Sequence, residues 1–330
     1  MRAAVVNEFG PIASHRMGEM PDPVPGPGEV VVSVEAVAAN FVDILVVTGR
    51  YQFLPERPFT PGKLPAGTVS AVGPGIAGLQ VGDRVLTLAE HGGYAEKVRV
   101  AASQCFKLPA RMSFVDAAGM ALVYDTSWFA LRERARLRAG ETVLVLGSTG
   151  GIGLAAVQLA KAMGAKVLAA VSNLDKAQLA RDAGADAIVD LGQDNLRDSL
   201  REQVYALNGG KGVDVVIDPV GGDAFDAALR ALAWRGRLVV IGFAAGRIPT
   251  IKANYLLLKN IEVSGLQISD YRKRTPDLMA ECMHEIFDWY EAGKLVPSPT
   301  LIYPMDDFAK ALQDIEDRRV RGRIVLVPKP

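Results

Sequence analysis

The chain has 330 residues, enough for about two domains with their own apolar cores, so we expect neither a fragment nor a disulfide-stapled mini-protein. Its 37 basic and 37 acidic residues give a formal net charge of zero, and we therefore expect no nucleic-acid partner. Two cysteines are too few for a disulfide framework or a four-thiolate zinc site.

The sequence contains no segment that we expect to cross a membrane. The longest uncharged stretch, Thr142–Ala160, contains four glycines and several polar residues, which is not the composition of a lipid-spanning helix. The N-terminal apolar run, Ala3–Val6, is too short for a signal peptide. We therefore expect a cytoplasmic protein with no membrane partner.

The first 120 residues are rich in proline and glycine, as in the segment PDPVPGPGEV. Between these clusters lie short segments of alternating polarity, such as Val30–Val34 and Arg84–Leu88. This pattern is typical of strands joined by many turns, and it predicts a twisted antiparallel barrel.

From about Arg138 to Gly265, short apolar runs alternate with amphipathic segments, which predicts βαβ units and a parallel sheet. The predicted strands are Val143–Leu146, Val167–Val171, Ala187–Asp190, Val213–Asp218 and Leu238–Ile241. The predicted helices Ile152–Met163 and Lys176–Ala183 are each followed by a glycine suited to a left-handed C-cap.

The C-terminal segment predicts one more helix and a closing strand. Thr275 and Pro276 are typical of the N-cap and first position of a helix, and Gly293 ends it. The strand Arg323–Val327 follows near the end of the chain.

A glycine-rich segment, Gly147–Gly153, connects the first of these strands to the first of these helices. Small residues at a helix N-terminus let backbone N–H groups approach a pyrophosphate, so the segment predicts a dinucleotide site. Ser148 occupies the position of the first glycine in the dinucleotide-binding pattern G-x-G-x-x-G. The prediction therefore depends on the strand, loop and helix occurring in the expected order. The residues we assign to this site are Ser148, Thr149, Gly150, Gly151, Ile152 and Gly153.

The end of the second strand bears on which dinucleotide binds. In an NAD site, an acidic residue about 20 residues after the glycine-rich segment binds the ribose. Here the strand ends Val171-Ser172-Asn173, and the first acidic residue, Asp175, lies beyond the expected position. Lys176 follows and suits a 2′-phosphate that a carboxylate would repel. We therefore predict NADPH, with Ser172, Asn173 and Lys176 near the phosphate. The alternative is that Lys176 is only a solvated lysine at a helix start.

Motifs along nearly the whole chain resemble the medium-chain dehydrogenase/reductase superfamily, in its zinc-free NADPH:quinone oxidoreductase (zeta-crystallin-like) branch. They are, in family order, MRAAVVNEFG, ANFVDILVVTGRYQ, PGKLPAGTVSAVGPGI, GDRV, GGYAE, LGSTGGIGLAAVQLAKAMGA, VIDPVGG, VVIGFAAG and GRIVLVP. The resemblance implies an α/β protein in which a GroES-like antiparallel β-barrel domain (1–123 and 267–330) accompanies a Rossmann doubly wound parallel-sheet domain (124–266). It also implies a homodimer that pairs the edge strand Ile261–Gly265.

The resemblance suggests further site residues. Tyr51 and Asn40 are candidates to donate hydrogen bonds to the substrate oxygen, although Tyr51 suits a packing role at the barrel rim equally well. The remaining cofactor positions implied are Asn40, Thr126, Val220, Gly242, Phe243 and Arg318. We interpret Asp43 as orienting a barrel loop and Asp218 as a structural cap.

Departures from relatives are informative. Zinc-containing relatives carry a cysteine where this chain has Asn40 and a histidine where it has Lys63, so we expect no metal. Leu64 stands where quinone reductases usually have glutamate. We interpret Lys63 as a solvated loop lysine; the alternative is a cation that binds a carboxylate or a CoA phosphate.

These observations favour an NADPH-dependent reductase of quinones or other α,β-unsaturated carbonyl compounds. A conjugated acceptor delocalises the charge that hydride transfer creates, so positioning and neutral hydrogen bonds can replace a Lewis acid. Two alternatives remain open: a reductase of acrylate-like acids or enoyl-CoA thioesters, and an NADPH-binding protein with little turnover.

Overall fold

The computed structural model describes residues 1–328. The strands are β1 (Arg2–Val5), β2 (Arg16–Glu19), β3 (Glu29–Ala39), β4 (Ala66–Val72), β5 (Arg84–Thr87), β6 (Lys97–Ala101), β7 (Cys105–Lys107), β8 (Thr142–Val145), β9 (Lys166–Val171), β10 (Ala187–Asp190), β11 (Val213–Asp218), β12 (Leu232–Val240), β13 (Glu262–Gly265), β14 (Thr300–Pro304) and β15 (Arg323–Val327). The α-helices are α1 (Phe41–Val47), α2 (Phe114–Trp128), α3 (Gly151–Ala162), α4 (Ala177–Asp182), α5 (Leu196–Leu207), α6 (Gly222–Ala231), α7 (Ala253–Lys259), α8 (Ile268–Arg274), α9 (Pro276–Glu291) and α10 (Phe308–Glu316).

The chain divides into two units, of which the second is Val123–Val296 and the first comprises Met1–Leu122 and the chain from Pro297 onward. The boundary between the first and second units lies one residue from the predicted one. The chain re-enters the first unit at Pro297, 30 residues after the predicted position, 267. The reason is that α8 and α9 are bonded into the second unit. Arg272 forms an ion pair with Asp125, and Glu285 accepts a hydrogen bond from Trp128 Nε1 at 2.5 Å.

The second unit is built on a six-stranded parallel sheet with the order β10-β9-β8-β11-β12-β13. This is the doubly wound order, in which the strand sequence reverses direction between β8 and β11. Consecutive residues of β8, such as Val143 and Leu144, are all buried, so side chains cover both faces of the sheet. The predicted parallel sheet is confirmed.

Most predicted strands of this sheet lie within one residue of their observed bounds, and β10 and β11 match them. β12 is the exception, because it begins six residues before the predicted Leu238, at Leu232. In its first half, Leu232 and Ala233 are followed by the exposed Trp234 and Arg235 and by Gly236, so the apolar run that predicts the strand begins only at Leu238.

The helix ends follow the glycine signals, since Gly164 and Gly184 both have positive φ directly after α3 and α4. At α9 the predicted N-cap differs in one respect. Thr275 precedes Pro276 as expected, but its hydroxyl donates to Tyr271 O in α8 instead of capping α9.

The first unit contains a seven-stranded sheet with the order β14-β15-β3-β4-β5-β7, in which β6 also pairs with β3. All neighbours are antiparallel except β14 and β15. Val30, Val32 and Val34 alternate along β3 and point into the core of this unit, which α1 and α10 help to cover through Ile44 and Phe308. The predicted antiparallel architecture is confirmed.

Candidate active site

The loop after β8 lies at the carboxyl edge of the parallel sheet, at the point where the strand order reverses. Gly147 has φ of 59°, which a residue with a side chain rarely adopts. A Cβ on Gly153 would lie 2.2 Å from Gly147 O and 2.5 Å from Ser148 Cα. Only glycine therefore fits at 153, where α3 packs directly on the loop backbone.

The N-terminus of α3 is open to an anion. Its N-cap is Gly150, which makes no side-chain cap, and its first turn contains no acidic residue. The N–H groups of Gly151, Ile152 and Gly153 have no intrahelical acceptor, and the helix dipole favours negative charge there. Thr149, Gly151 and Ile152 are half-buried, so the cradle is accessible at its rim. These residues fit a phosphate group.

Ser148 has a different role from the one predicted. Its side chain is fully buried, its Oγ donates to Ala170 O at 2.9 Å, and its backbone N–H donates to the same oxygen at 3.2 Å. Both donors are therefore used to tie the loop to β9. Ser148 supports the cradle and offers no donor to a phosphate.

The end of β9 presents small polar residues. Ser172 and Asn173 are exposed directly after Val171, and Asn173 Oδ1 accepts a hydrogen bond from Asp175 N at 2.8 Å. Lys176 is half-buried at the end of the short 3₁₀ helix that follows. The position that would require a carboxylate in an NAD site is therefore occupied by neutral donors with a cation nearby.

Asp218, the last residue of β11, is fully buried. Its Oδ1 accepts hydrogen bonds from Val220 N and Gly221 N, both at 2.8 Å, as expected of a structural cap. Its Oδ2 has no hydrogen-bond partner among residues 1–328. Burial raises the pKa of Asp218 to about 6, although the two backbone N–H groups oppose this shift.

The loops after β11 and β12 are joined by backbone hydrogen bonds. Ile241 N donates to Asp218 O at 2.8 Å, and Ala245 N donates to Val220 O at 2.9 Å. Gly242 and Phe243 lie between these bonds, and the Phe243 side chain is 40% exposed. The predicted residues Val220, Gly242 and Phe243 therefore share the carboxyl edge of the sheet with the glycine-rich loop.

Thr126 is held by a buried ion pair. Its Oγ1 donates to Asp125 Oδ1 at 3.3 Å, and Asp125 Oδ2 accepts from Arg272 Nε at 3.0 Å and from Nη2 at 2.6 Å. The side chains of Asp125 and Arg272 are 0% and 1% exposed. The ion pair joins α2 to α8 and fixes the position of Thr126.

In the first unit, Asn40 is buried at the end of β3. Arg323 Nη2 donates to its Oδ1 at 2.7 Å, and its own Nδ2 donates to Ala38 O at 3.0 Å. The arginine fixes which side of the amide carries the N–H groups, and the Asn40 side chain also forms a hydrogen bond with the Asp43 carboxyl.

Asp43 orients the start of α1, as predicted. Its Oδ2 accepts hydrogen bonds from Asn40 N and from Tyr94 Oη, each at 2.9 Å. Burial raises the pKa of Asp43, while the positive charge of Lys63 and the hydrogen bonds with Tyr94 and with the backbone and side chain of Asn40 oppose the rise.

Lys63 is not the solvated lysine predicted, because its side chain is only 3% exposed. Its Nζ lies 2.6 Å from Glu90 Oε2 and 3.2 Å from Glu90 O. The same atom lies 5.7 Å from the ring centroid of Tyr51. Tyr51 is half-buried, and its ring packs against the core of the first unit and against Phe53.

The structure therefore gathers most predicted cofactor residues along one edge of the second unit. Asn40 and Arg318 belong to the first unit, where Arg318 is exposed and has φ of 58° just after α10. The prediction missed Arg323, Glu90 and Arg272. Of these three residues, only Arg323 could have been found from the sequence. It begins the apolar strand RIVLV, and an arginine buried there requires a polar partner.

Among residues 1–328, no group of three or more His, Cys, Asp or Glu side chains has an arrangement suited to a metal ion. Within the same residues, no helix combines the length and apolar composition needed to cross a bilayer.

Comparison with known proteins identifies both units. Residues 26–110 match the model of the alcohol dehydrogenase GroES-like domain, and residues 151–285 match that of the zinc-binding dehydrogenases. The first match confirms the predicted GroES-like class of the first unit.

The relatives cover nearly the whole chain. The quinone oxidoreductase-like protein 2 homolog of Nematostella vectensis is 37% identical over 307 residues, which are 92% of this chain and 83% of that protein. Mycobacterial Rv1454c, solved with NADPH, is 34% identical with a TM-score of 0.91 over 99% of this chain and 100% of its own. The Escherichia coli quinone oxidoreductase, also solved with NADPH, is 29% identical with a TM-score of 0.91 over 99% and 100%. The chain therefore belongs to the zinc-free quinone oxidoreductase family of the medium-chain dehydrogenase/reductase superfamily.

Proposed function

We propose that this protein is an NADPH-dependent, zinc-independent reductase that transfers hydride to quinones or other α,β-unsaturated carbonyl compounds. The observation that carries the proposal is the glycine cradle at the strand-order reversal, where Gly153 leaves no space for a Cβ and the first turn of α3 is uncapped. Such a cradle suits a pyrophosphate.

The dinucleotide is held by the chain as follows. The N–H groups of Gly151, Ile152 and Gly153 bind the pyrophosphate, while Thr149 and Gly150 form the rim. Ser172, Asn173 and Lys176 hold the 2′-phosphate. The absence of a carboxylate at the end of β9 supports NADPH over NADH, because a carboxylate would repel the phosphate dianion.

We assign the nicotinamide end to the other predicted cofactor residues. Thr126, fixed by Asp125, binds the carboxamide, and the loops that contain Val220, Gly242 and Phe243 border the ring. Asn40 is assigned to the same end from the family resemblance.

When bound, the cofactor supplies the hydride; the protein supplies position and hydrogen bonds. Tyr51 Oη–H and Asn40 Nδ2–H donate to the acceptor oxygen, where negative charge develops as the conjugated bond is reduced. Because the charge of an enolate or hydroquinone anion is delocalised, these neutral donors are sufficient. We further propose that the protein works as a homodimer in the cytoplasm.

The test is a screen of NADPH oxidation with ortho- and para-quinones, alkenals, acrylates and enoyl thioesters, each with and without a chelator. We expect turnover with quinones or enones, no effect of the chelator, and a kcat/KM for NADPH well above that for NADH. A kcat/KM for NADH equal to that for NADPH would refute the cofactor assignment.

The two alternatives predict different results in the same screen. A preference for enoyl thioesters or acrylates over every quinone identifies the acid or thioester reductase. Tight NADPH binding without oxidation across the panel identifies a binding protein with little turnover.

A further inference from the structure

The first unit buries a cation beside Tyr51, the proposed hydrogen-bond donor, and the proposed function assigns this cation no role. Lys63 Nζ lies 5.7 Å from the centroid of the Tyr51 ring, within the range of a cation–π contact. The ammonium is also anchored by Glu90, through both its carboxylate and its carbonyl oxygen. A nearly buried lysine gains little stability from such a pair, because removing both charges from water is costly.

The backbone is shaped to hold Lys63 in this place. Gly62 and Leu64, on either side of it, have φ of 93° and 53°. Leucine rarely adopts a left-handed conformation, and strain of this kind concentrates at functional sites. Leu64 N donates to Ala89 O at 2.8 Å, and Gly93 N donates to Gly62 O at 3.0 Å. The segment is therefore fixed to the chain that carries Glu90.

The other charged and titratable groups around the pair come from several elements. They are Asp43 of α1, His91 and Tyr94 of the segment between β5 and β6, and Arg323 of β15. Asp43 is engaged by Asn40 N and Tyr94, and Arg323 by Asn40 and Gly119. Lys63 is thus the cation of this cluster that contacts the Tyr51 ring.

We propose that Lys63 is a positioning residue for Tyr51. The Lys63 ammonium holds the Tyr51 ring in place, and its positive charge favours release of the phenolic proton to the acceptor. This inference rests on the proposed function, in which Tyr51 is the donor. The acceptor carbon gains the hydride from the dihydronicotinamide, the conjugated electron pair moves to oxygen, and that oxygen takes the Tyr51 proton. Lys63 stabilises the resulting phenolate until water returns a proton to it.

Four variants separate this role from a merely structural ion pair. Lys63→Met alone removes the cation that faces the Glu90 carboxylate. The comparison is therefore between E90Q, which keeps the ammonium, and the double variant K63M/E90Q, which removes both charges. K107M is the matched control, because Lys107 forms an exposed pair with Asp83 at 2.9 Å in the same unit. Tyr51→Phe identifies which tyrosine resonance in the NMR spectrum belongs to Tyr51. Circular dichroism and the Tm of each variant establish that it is folded.

Two readouts are used. With NADPH and a neutral quinone, we expect kcat of K63M/E90Q to fall about tenfold or more with little change in KM, while E90Q and K107M stay near wild type. We also expect the high-pH limb of kcat to move to higher pH in the double variant. Independently of turnover, NMR of the ¹³Cζ-labelled tyrosines without cofactor should show Tyr51 ionising at higher pH in K63M/E90Q than in E90Q.

Three results would overturn the inference: Tyr51 titrates alike in both variants, E90Q loses as much kcat as the double variant, or the loss is confined to KM for acceptors that carry a carboxylate. The last result would make Lys63 a binding site for the substrate anion. If the wild type fails to oxidise NADPH with every acceptor in the panel, the proposed function is refuted. The NMR titration still decides whether Lys63 acts on Tyr51.

Discussion

At the residue scale, Gly153 is a position of the candidate site where a side chain does not fit. We expect Gly153→Ala to weaken NADPH binding about tenfold or more, because the new Cβ forces the helix away from the loop that forms the cradle. The same clash should lower the free energy of unfolding by about 1–3 kcal/mol. Titration of NADPH by fluorescence and denaturation by urea measure the two effects.

Gly119→Ala in α2 is the matched control. Its Cβ would meet Thr300 Oγ1 at 3.6 Å and Val325 Cγ2 at 3.7 Å, which are ordinary van der Waals distances, so stability should be unchanged or slightly raised. Equal NADPH affinity in G153A and wild type would mean that the loop does not hold the dinucleotide.

Asp218 predicts a pH dependence of stability. Its pKa is about 6 in the folded protein and 3.8 in the unfolded chain, so the stabilisation is full below pH 3.8 and is lost as the pH rises through 6. The full effect is about 3 kcal/mol, since each pKa unit corresponds to about 1.4 kcal/mol.

Asp218→Asn removes this titration and keeps an acceptor for Val220 N and Gly221 N. Relative to wild type, the variant should therefore gain about 2 kcal/mol of unfolding free energy between about pH 4.5 and pH 7.5. Urea denaturation at both pH values measures the difference. A difference that does not vary with pH would show that Asp218 titrates normally.

At the scale of elements, the pair Asp125–Arg272 joins α8 to α2. Arg272→Met leaves the Asp125 carboxylate buried without its main partner, and we expect a loss of about 3–5 kcal/mol in the free energy of unfolding. The double variant D125N/R272M should recover part of this loss, because it removes the uncompensated charge.

Lys161→Met is the comparison for an exposed pair. Lys161 and Asp186 are 35% and 36% exposed, so we expect a loss of less than about 1 kcal/mol. If R272M costs no more than K161M, α8 is not held by its ion pair.

The elements differ in how far the sequence predicts them. β10, β11 and β15 have their predicted bounds, because each is a run of Val, Ile or Leu that ends at a polar residue or proline. α8 was not predicted, since ISDYRKR has little apolar periodicity and is held by a partner more than 140 residues away. Long-range pairing of this kind leaves no local pattern.

The same limit applies to the candidate site. The cradle Gly147–Gly153 could be predicted, because backbone geometry there requires glycine at fixed spacing. The burial of Lys63 could not, since it depends on Glu90, 27 residues away, and on two left-handed residues beside it. The hydrogen bonds of Ser148 could not be predicted either, because their acceptor, Ala170 O, lies on another strand.

At the scale of the whole molecule, the second unit has features of an interface between copies of the chain. β13 is an edge strand of the parallel sheet, and an open edge is a template for pairing with a second chain. Near it in sequence, Leu257 and Leu258 of α7 are 78% and 73% exposed, and Trp234 of β12 is 69% exposed. Large apolar side chains exposed together are typical of contact surfaces.

We therefore expect a dimeric mass at micromolar concentration by light scattering, and a monomeric mass for the double variant L257E/L258E, because its carboxylates would have to be desolvated at the contact. The exposed Val24 and Val81 of the first unit provide the control, since V24E/V81E adds the same charge elsewhere and should stay dimeric. A monomeric wild type would refute the homodimer, and a dimeric L257E/L258E would move the interface away from α7. If the variant is monomeric and still oxidises NADPH at the wild-type rate, each protomer contains a complete active site.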